Sequence, residues 1–557
     1  MKLVIAEKPS VAMALAQVLG ARNRKDGYVE GNGYIVSWCV GHLVGLCDAA
    51  EYDEKYRKWR YEDLPIVPEN WKHKVLAGTK KQFGVLKKLM NDSNIEEVIC
   101  ATDAGREGEL IFRLVYEQAG CKKPMKRLWI SSMEEQAIKE GFASLKDGSC
   151  YDSLYQSALC RAKADWLVGI NASRLFSVLY NQNLKVGRVQ TPTLAMIVER
   201  NQKIQEFTKE KYYVAHIRFD EMDAVTGHFQ KREDAEKVVA DCAERMCEVE
   251  KDEEKEKTVR SPKLYDLTTL QREANRMFGY TAQQTLDAVQ EMYEQKLVTY
   301  PRTDSQYLTD EMGESTEALI QMLTGKLPFA KEMKIQPDVK KVLNSKKVSD
   351  HHAIIPTMEV KKADLESLKE RNRKILYLIS ARVLMATADS YIYESHKCQI
   401  TCNYHTFYLS ARKVKQEGFR TIEKQLKQFF GVKAEKEEAE LDIWEGKHYG
   451  PCDAFVTEHD TQPPKQYTED TLLSAMERAG NEELTEDTEK KGLGTPATRA
   501  AIIEKLIQSG FVKREKKNLV PTNDGNVLIT VLPDEIKSPK MTAEWEMALN
   551  HIAQNTE

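Results

Sequence analysis

The first 149 residues alternate between short apolar runs and segments with helical spacing of apolar positions. Three runs predict buried strands: KLVIA (2–6), EEVICATD (96–103) and RLWISS (127–132). Two segments predict amphipathic helices that end in glycine: SVAMALAQVLG (10–20) and GELIFRLVYEQAG (108–120). This order of elements is typical of an open α/β sheet, so residues 1–149 are predicted to form one α/β domain.

The pattern changes several times in the rest of the chain. Residues 150–209 and 458–557 have mainly helical spacing, and the second range includes a helix–hairpin pattern typical of a winged-helix-like element. Residues 210–262 and 388–457 alternate as β-strands do, and residues 263–387 are mainly helical. We therefore predict a multidomain α/β plus α and β protein, in which the two β-rich segments build one domain around a helical insert.

Charge within this pattern is informative only locally. The run EVEKDEEKEKTVRSPK (248–263) is predicted to be a solvated linker or an exposed strand edge. The whole chain has a formal net charge of −4, so any nucleic-acid site must be a local basic lining rather than a property of the whole surface.

Length and composition bound the class of protein. With 557 residues the chain exceeds a single core, and three or four domains are expected. No apolar run approaches the roughly 18–20 residues of a membrane span, and the N-terminus does not have the pattern of a signal peptide. The eleven cysteines form no Cys-x-x-Cys pair, which argues against a zinc ribbon and indicates a reducing, cytoplasmic setting. No phosphate-binding P-loop is visible.

Acidic side chains follow two of the predicted strands. Glu7 comes after KLVIA, and Asp103, Glu107 and Glu109 lie in ATDAGREGE after EEVIC. Open α/β sheets place their sites at strand ends, and carboxylates there suit Mg²⁺. Acids also favour a helix N-terminus through the helix dipole, and this is our interpretation of Glu109. For Glu7 with Asp103 we predict a metal site.

Several segments, in the same order along the chain, resemble one family. IAEKPS and ATDAGREGE resemble the Toprim domain of topoisomerases and primases, and VTYPRTDSQYL (298–308) resembles the active-site tyrosine segment of type IA DNA topoisomerases. Further segments resemble those of bacterial topoisomerase III: WCVGHLVGLCDAAEYDEKYRKWRYEDLPIVP, RAKADWLVGINASRLF, VGRVQTPTLAMIVERN, DHHAIIPT and GLGTPATRAAIIEKLIQSGFV. The resemblance covers residues 1 to about 547 and implies a toroidal enzyme with an N-terminal Toprim domain.

The resemblance also implies roles for individual residues. Tyr300 would be the nucleophile that forms a 5′-phosphotyrosine, and Arg302 would support its phenolate and hold the phosphate. Lys8 would be the general acid for the departing 3′-oxygen, and His351 would help to arrange the scissile phosphate, in preference to His352. Mg²⁺ would bind Glu7, Asp103 and Glu107, with Glu7 also counted among the catalytic residues.

A DNA-binding groove is implied by other matching positions. The KVGRVQ segment comprises Lys185, Val186, Gly187, Arg188, Val189 and Gln190, and within it Arg188 and Gln190 would reach the DNA backbone. Trp59, Trp166, Arg174 and Arg302 would also contact DNA, although core packing explains Trp166 equally well. An ordinary ion pair between Arg161 and Asp165 explains their spacing as well as DNA binding does.

Two features depart from the family pattern. The broader Toprim pattern Asp-x-Asp-x-Glu has Gly105 at its second acidic position, which puts a two-metal arrangement in doubt. The segment MTAEWEMALNHIAQNTE ends where relatives usually continue, so we expect the native chain to extend beyond Glu557.

The leading hypothesis is an ATP-independent type IA topoisomerase that relaxes negatively supercoiled DNA and unlinks single-stranded or gapped DNA. Such an enzyme would be a monomer in the cytoplasm, associated with the nucleoid and not with a membrane. Two alternatives belong to other classes: a Toprim nuclease in which Tyr300 only packs, and a noncatalytic single-strand DNA-binding protein. Covalent protein–DNA adducts, free cut ends, or binding without cleavage would distinguish the three.

Overall fold

A computed structural model describes residues 1–331, 336–348, 351–432, 445–479 and 492–554. The helices in these ranges are α1 Pro9–Leu19, α2 Lys80–Met90, α3 Arg106–Gln118, α4 Glu135–Ala143, α5 Asp152–Tyr180, α6 Gln190–Gln205, α7 Arg232–Cys242, α8 Leu267–Phe278, α9 Ala282–Glu294, α10 Gly313–Lys326, α11 Glu370–Thr387, α12 Arg420–Phe429, α13 Glu469–Arg478, α14 Pro496–Gln508, α15 Asn523–Val531, α16 Asp534–Lys537 and α17 Pro539–Ala553.

The strands of the same ranges are β1 Lys2–Ala6, β2 Asn23–Lys25, β3 Tyr28–Gly31, β4 Tyr34–Trp38, β5 Val44–Leu46, β6 His73–Val75, β7 Glu97–Ala101, β8 Met125–Arg127, β9 Lys146–Asp147, β10 Lys211–Phe219, β11 Met222–Val225, β12 Cys247–Val259, β13 Tyr391–Cys402, β14 His405–Gln416, β15 His448–Tyr449, β16 Asp453–Asp460, β17 Val512–Glu515 and β18 Asn518–Pro521.

The N-terminal sheet has the strand order β2-β3-β4-β1-β7-β8-β9. Its centre is parallel: β1 pairs with both β4 and β7, and Ala6 lies opposite Ala101 in the β1–β7 register. Strands β1 and β7 are almost entirely buried and apolar, as expected for parallel strands covered on both faces. Because these two strands end side by side, the residues that follow them meet at one edge of the sheet.

The strand predicted over RLWISS is shorter than expected. Strand β8 ends at Arg127, and only the backbone N–H of Leu128 continues the pairing, by donating to the Cys100 carbonyl. From Trp129 to Ser132 the chain leaves the sheet, and the Ser131 carbonyl accepts a hydrogen bond from the backbone of Tyr300. The prediction was wrong here because this apolar stretch packs against another part of the chain instead of continuing the ladder.

A second seven-stranded sheet draws its strands from two separated parts of the chain. Its order is β15-β12-β13-β14-β11-β10-β16, which joins strands of residues 211–259 to strands of residues 391–460. The charge run at 248–263 forms most of β12, whose outer part is exposed and pairs mainly with β13. Charged side chains on such an edge discourage pairing with other chains.

The helical segments pack around the two sheets. Tyr300 lies in the loop after α9, within an apolar core that combines residues of the N-terminal sheet with residues of α8, α9 and α11. A separate core joins α5 and α6 to α13–α15 and to the hairpin β17–β18. Within the described ranges, no helix is both long enough and apolar enough to cross a membrane.

Candidate active site

Tyr300 lies where the helical part of the chain meets the N-terminal sheet. Its backbone N–H donates to the Ser131 carbonyl at 2.9 Å. The side chain is 5% exposed, and its ring packs at 4.3 Å from the ring of His351 and edge-on at 5.5 Å from Tyr293, measured between ring centroids. In this closed arrangement the phenol is enclosed by protein and faces the acids of the sheet edge.

The electrostatic surroundings of Tyr300 disfavour its ionised form. Burial raises the pKa of the phenol well above its usual range of about 10, and the charge of Asp103 raises it further. Arg302 opposes this shift through its own charge and a hydrogen bond with Tyr300. The same guanidinium contacts Asp103, with Nη1 at 3.1 Å from Oδ2. Arg302 therefore connects the phenol to the acidic edge, but its charge alone does not bring the pKa of the phenol down to its usual range.

Glu7 and Asp103 form a buried carboxyl pair at that edge. The backbone N–H of Asp103 donates to Oε2 of Glu7 at 3.2 Å, as the parallel pairing of their strands predicts. Burial and the charge of Asp103 raise the pKa of Glu7 to about 7, and burial also raises the pKa of Asp103. A divalent cation would stabilise the ionised forms of two such adjacent, desolvated carboxyls. The donor chemistry of this pair fits Mg²⁺.

Glu107 points elsewhere. Its exposed carboxylate pairs with His42, with Oε1 at 2.6 Å from Nε2, and this contact lowers the pKa of Glu107. Among the residues that the structure describes, no three His, Cys, Asp or Glu side chains converge so that they could hold a metal ion. The role of Glu107 as a metal ligand remains a prediction, and it would require the carboxylate to leave His42.

Gly105 lies between these acids, at the start of α3. Its backbone has φ 157° and ψ 171°, a conformation that is essentially limited to glycine. A Cβ atom built there would meet no atom within 4 Å. Backbone conformation, rather than lack of space, therefore favours glycine at this position.

Lys8, which follows β1 and Glu7, forms an ion pair with the end of α9. Its Nζ lies 3.1 Å from Oε1 of Glu294, the last residue of α9, and the Ser10 hydroxyl donates to the other oxygen of that carboxylate at 2.7 Å. The ammonium group stands at the end of β1, next to Glu7. Glu294 is a site residue that sequence reasoning missed, because nothing in the local pattern marks a contact between residues 286 positions apart.

His351 links the tyrosine to the acidic loop. Its Nε2 donates to the Ala104 carbonyl, and its Nδ1 lies 2.7 Å from the Ser131 hydroxyl. Burial lowers its pKa to about 4, so the imidazole is neutral at physiological pH. Both ring nitrogens are engaged, so contact with a phosphate would require this arrangement to change. His352 contacts the neighbouring Ala353 carbonyl, at 2.8 Å from Nδ1.

The predicted DNA-contact residues divide into exposed and enclosed groups. Trp59 and Lys185 are exposed. Arg174 is buried: Nη1 donates to the Tyr56 carbonyl at 2.8 Å, and the guanidinium carbon lies 5.4 Å from the centroid of Trp59. Trp166 is half-buried, donates from Nε1 to the Cys47 carbonyl at 3.0 Å and packs edge-on against Tyr52 and Trp71. These contacts give Trp166 a clear packing role.

The KVGRVQ segment is mostly enclosed. Val186 and Val189 belong to an apolar core, and the Gly187 N–H donates to the Thr191 hydroxyl at 3.1 Å. Gln190 begins α6 and is buried. Arg188 is 2% exposed and pairs with Asp165 and Glu546 at 2.8 and 3.0 Å. Arg188 and Gln190 are buried in this structure, and their contact with DNA remains a prediction.

The chain matches two family models along nearly its whole length. Residues 2–133 match the Toprim domain, and residues 149–557 match the family described as DNA topoisomerase.

Curated relatives and a solved structure extend this result. DNA topoisomerase 3 of Bacillus subtilis (strain 168) is 40% identical over 575 residues, which cover 99% of this chain and 78% of the relative. DNA topoisomerase 3 of Shouchella clausii (strain KSM-K16) is 40% identical over 584 residues, which cover 100% of this chain and 78% of the relative. Full-length topoisomerase I from Thermotoga maritima has the same fold, with a TM-score of 0.77 and 24% sequence identity. The match covers 100% of this chain and 87% of the Thermotoga maritima chain. The chain belongs to the type IA DNA topoisomerases.

Proposed function

We propose that Tyr300 carries out the strand cleavage of this topoisomerase by forming a 5′-phosphotyrosine bond. The observation that carries the proposal is the contact of Arg302 with both the Tyr300 phenol and Asp103, next to the Glu7 carboxyl. A phenolate at pH ~7.5 costs roughly 3–4 kcal/mol for an ordinary tyrosine, and the burial of Tyr300 adds to that cost. The phenolic proton therefore needs a nearby acceptor during attack.

The surrounding side chains supply the required proton transfers. Glu7, with a pKa of about 7, suits the role of proton acceptor near neutral pH. As the Tyr300 oxygen bonds to phosphorus, the bond from phosphorus to the 3′-oxygen breaks, and Lys8 donates a proton to that oxygen. Arg302 holds the phosphate through its planar set of donors. Religation reverses these transfers.

Glu7 and Asp103 would hold Mg²⁺, with Glu107 joining if it left His42. When bound, the ion would supply positive charge for the DNA backbone during religation. His351 would hold the loop that carries Asp103 and the Tyr300 ring in fixed positions relative to each other. Trp59, Trp166, Arg174 and the KVGRVQ segment, residues 185–190, would guide a single strand towards this centre.

The substrates proposed are single-stranded, negatively supercoiled or gapped DNA, handled by a monomer in the cytoplasm without ATP. Domain limits are proposed at residues 1–149, at 210–262 with 388–457, at 263–387, and at 150–209 with 458–557.

Trapping of covalent adducts tests the proposal. End-labelled single-stranded oligonucleotide is incubated with protein and denatured, and the adduct is resolved by gel electrophoresis. Tyr300→Phe is expected to bind the oligonucleotide as wild type does and to form no adduct. Tyr293→Phe, which removes a hydroxyl from the neighbouring buried ring, is the matched control and should form adduct. Adduct formation by Tyr300→Phe, or free cut ends without adduct in wild type, would contradict the proposal.

A further inference from the structure

Four buried cysteines lie together at one end of the second sheet. Cys242 ends α7, Cys247 begins β12, Cys402 ends β13, and Cys452 directly precedes β16. All four belong to one apolar core and are at most 2% exposed. Because the sequence contains no Cys-x-x-Cys pair, only the tertiary structure brings these residues together. We call the four residues the thiol cluster.

Cys242 and Cys402 contact each other in both directions. The Cys242 thiol donates to the Cys402 carbonyl, with 3.3 Å from Sγ to the oxygen. Sγ of Cys402 lies 3.8 Å from the Cys242 carbonyl oxygen and 3.6 Å from that of Met246. Both cysteines are free thiols in this structure. Because each sulfur atom reaches the backbone of the other residue, the two side chains face each other.

Polar contacts next to these two cysteines hold them in place. Asn403, which follows Cys402, donates from Nδ2 to the Asp241 carbonyl at 2.8 Å. His405 Nε2 lies 2.9 Å from Oδ2 of the same Asp241, the residue before Cys242. The turn between β13 and β14 is therefore fastened to the end of α7, and this contact fixes the position of one cysteine relative to the other.

The thiol cluster lies directly beneath three exposed turns. These are residues 243–246, 403–404 and 450–451, and each turn adjoins a member of the cluster in the chain. Exposed turns open locally at a lower free-energy cost than the strands of a sheet do. A small solute can therefore reach the sulfur atoms without unfolding of the whole domain.

Cys402 is the member of the cluster best suited to react as a thiolate. Hydrogen bonds from the Cys242 and Cys452 thiols lower the pKa of Cys402 to about 7, although burial opposes this shift. The charges of His405 and Arg245 lower the pKa of Cys402 further. The hydrogen bond to Cys402 and burial raise the pKa of Cys242. A thiolate next to a protonated thiol is an arrangement in which one sulfur can attack an oxidant and the other can complete a disulfide.

The sulfur contacts of the cluster are pairwise. Cys402 interacts with Cys242 and with Cys452, and Cys452 interacts with Cys247. In the ranges that the structure describes, no three His, Cys, Asp or Glu side chains are grouped so that they could hold a metal ion. Thiols that meet in pairs favour formation of a disulfide over binding of a metal ion, which needs several ligands around one point.

We propose that Cys402 and Cys242 form a redox site that hydrogen peroxide oxidises to a disulfide. The Cys402 thiolate attacks one peroxide oxygen, so that a sulfur–oxygen bond forms, the oxygen–oxygen bond breaks and hydroxide leaves. The Cys242 sulfur then attacks the resulting sulfenic acid: the sulfur–sulfur bond forms as the sulfur–oxygen bond breaks, and a second hydroxide leaves. The two thiol protons convert both hydroxides to water. Two thiols thus lose two electrons, and one peroxide is reduced to two waters.

The new bond would join α7 to one strand of a two-stranded connection. Strand β12 leads into residues 263–387, the segment that contains Tyr300, and β13 leads out of that segment. The two strands pair with each other along most of their length. Cys402 lies at the end of β13 that is farther along the strand from this segment, so the disulfide would fasten the base of the connection and leave the residues around Tyr300 unchanged.

Peptide mapping after oxidation tests the proposal without DNA. The purified protein is treated with hydrogen peroxide, alkylated under denaturing conditions, digested and examined by mass spectrometry. We expect a disulfide-linked pair of peptides that contain Cys242 and Cys402, and dithiothreitol should restore both thiols. Exposed Cys150 is the internal control and should occur in no intramolecular disulfide. A bond from Cys402 to Cys452 instead, oxidation of Cys402 without a disulfide, or two cysteines that stay reduced would overturn the proposal.

Two variants test the assignment of Cys242 as the partner. Cys242→Ala leaves the sulfenic acid on Cys402 without this partner, so dimedone, which labels sulfenic acids, should label Cys402 several-fold more than in wild type. Cys452→Ala removes the other neighbouring thiol and should still form the Cys242–Cys402 bond. Equal dimedone labelling of wild type and Cys242→Ala, or loss of the bond in Cys452→Ala, would contradict the assignment. Since no step requires cleavage, failure of the redox site is distinguishable from failure of Tyr300 to form adducts.

Discussion

Replacement of Glu7 by glutamine should stabilise the metal-free protein while removing its proposed metal site. Glu7 is buried beside Asp103, and its pKa is about 7 in the folded chain against about 4.5 for an ordinary glutamate. The folded state therefore binds this proton more tightly than the unfolded state does. Stability falls as pH rises from about 4.5 to about 7, and the loss is complete above that range.

The size of the effect follows from the shift. The rise in the pKa of Glu7 from 4.5 to about 7 corresponds to roughly 3 kcal/mol. A glutamine side chain at this position keeps an oxygen that can accept the Asp103 N–H, and its amide can donate to the Asp103 carboxylate. Glu7→Gln should therefore recover up to about 3 kcal/mol at pH 8 and almost none near pH 4.5.

Thermal melting across pH provides the assay. In EDTA, the melting temperature of Glu7→Gln should exceed that of wild type at pH 8, and the two curves should converge as pH falls. Adding Mg²⁺ should raise the melting temperature of wild type and leave that of Glu7→Gln unchanged. Glu69→Gln, which alters an exposed carboxyl, controls for the loss of one negative charge. A Glu7→Gln protein that is less stable at pH 8, or a difference that does not vary with pH, would refute the reasoning.

Two further predictions concern the neighbours of Glu7. Gly105→Asp should bind Mg²⁺ more tightly than Gly105→Ala in a metal titration, although the backbone at φ 157° should destabilise both by about 1–3 kcal/mol; equal Mg²⁺ affinities would exclude a ligand role for an acid there. Lys8→Met should slow single-turnover adduct formation about 10²–10⁴-fold because the 3′-oxygen loses its proton donor. Glu294→Gln, which keeps the ammonium and removes only its partner, should slow the reaction far less, and equal losses in both variants would assign the effect to the ion pair instead.

The acidic edge was predictable from sequence because it depends on local pattern. KLVIA and EEVIC are recognisable strands, and parallel strands that pair in register bring the residues after them together. The position of Tyr300 opposite this edge came only from the resemblance, since VTYPRTDSQYL carries no periodic signal that would locate it. The winged-helix-like pattern was also local, and the structure has α14 followed by the hairpin β17–β18 in that segment.

The sequence did not indicate the partners of charged residues that lie far apart in the chain. Arg188 was expected at the DNA backbone, but in the structure its partners are Asp165 and Glu546, the latter 358 residues away. Likewise His42, which binds Glu107, lies inside a motif of the family but has no pattern that marks it as a partner. A long side chain can reach any of several acids, and only tertiary packing decides which one.

The contacts that close the Tyr300 interface explain how it can open. Lys8 with Glu294 and Arg302 with Asp103 are ion pairs whose basic side chains remain 28–30% exposed. A pair that is partly exposed on both sides, such as Lys8 with Glu294, contributes little to stability because water can replace each partner. Asp103 is buried, and Arg302 stabilises its charge. The Glu7–Asp103 pair is destabilised by its own burial, so a cation or a phosphate held by Arg302 would compete directly with the closed arrangement. The strands beneath are buried and apolar, and no solute competes for those contacts. The closed state is thus held where DNA and metal are proposed to act, and opening at Tyr300 would leave intact the sheet that carries the acids.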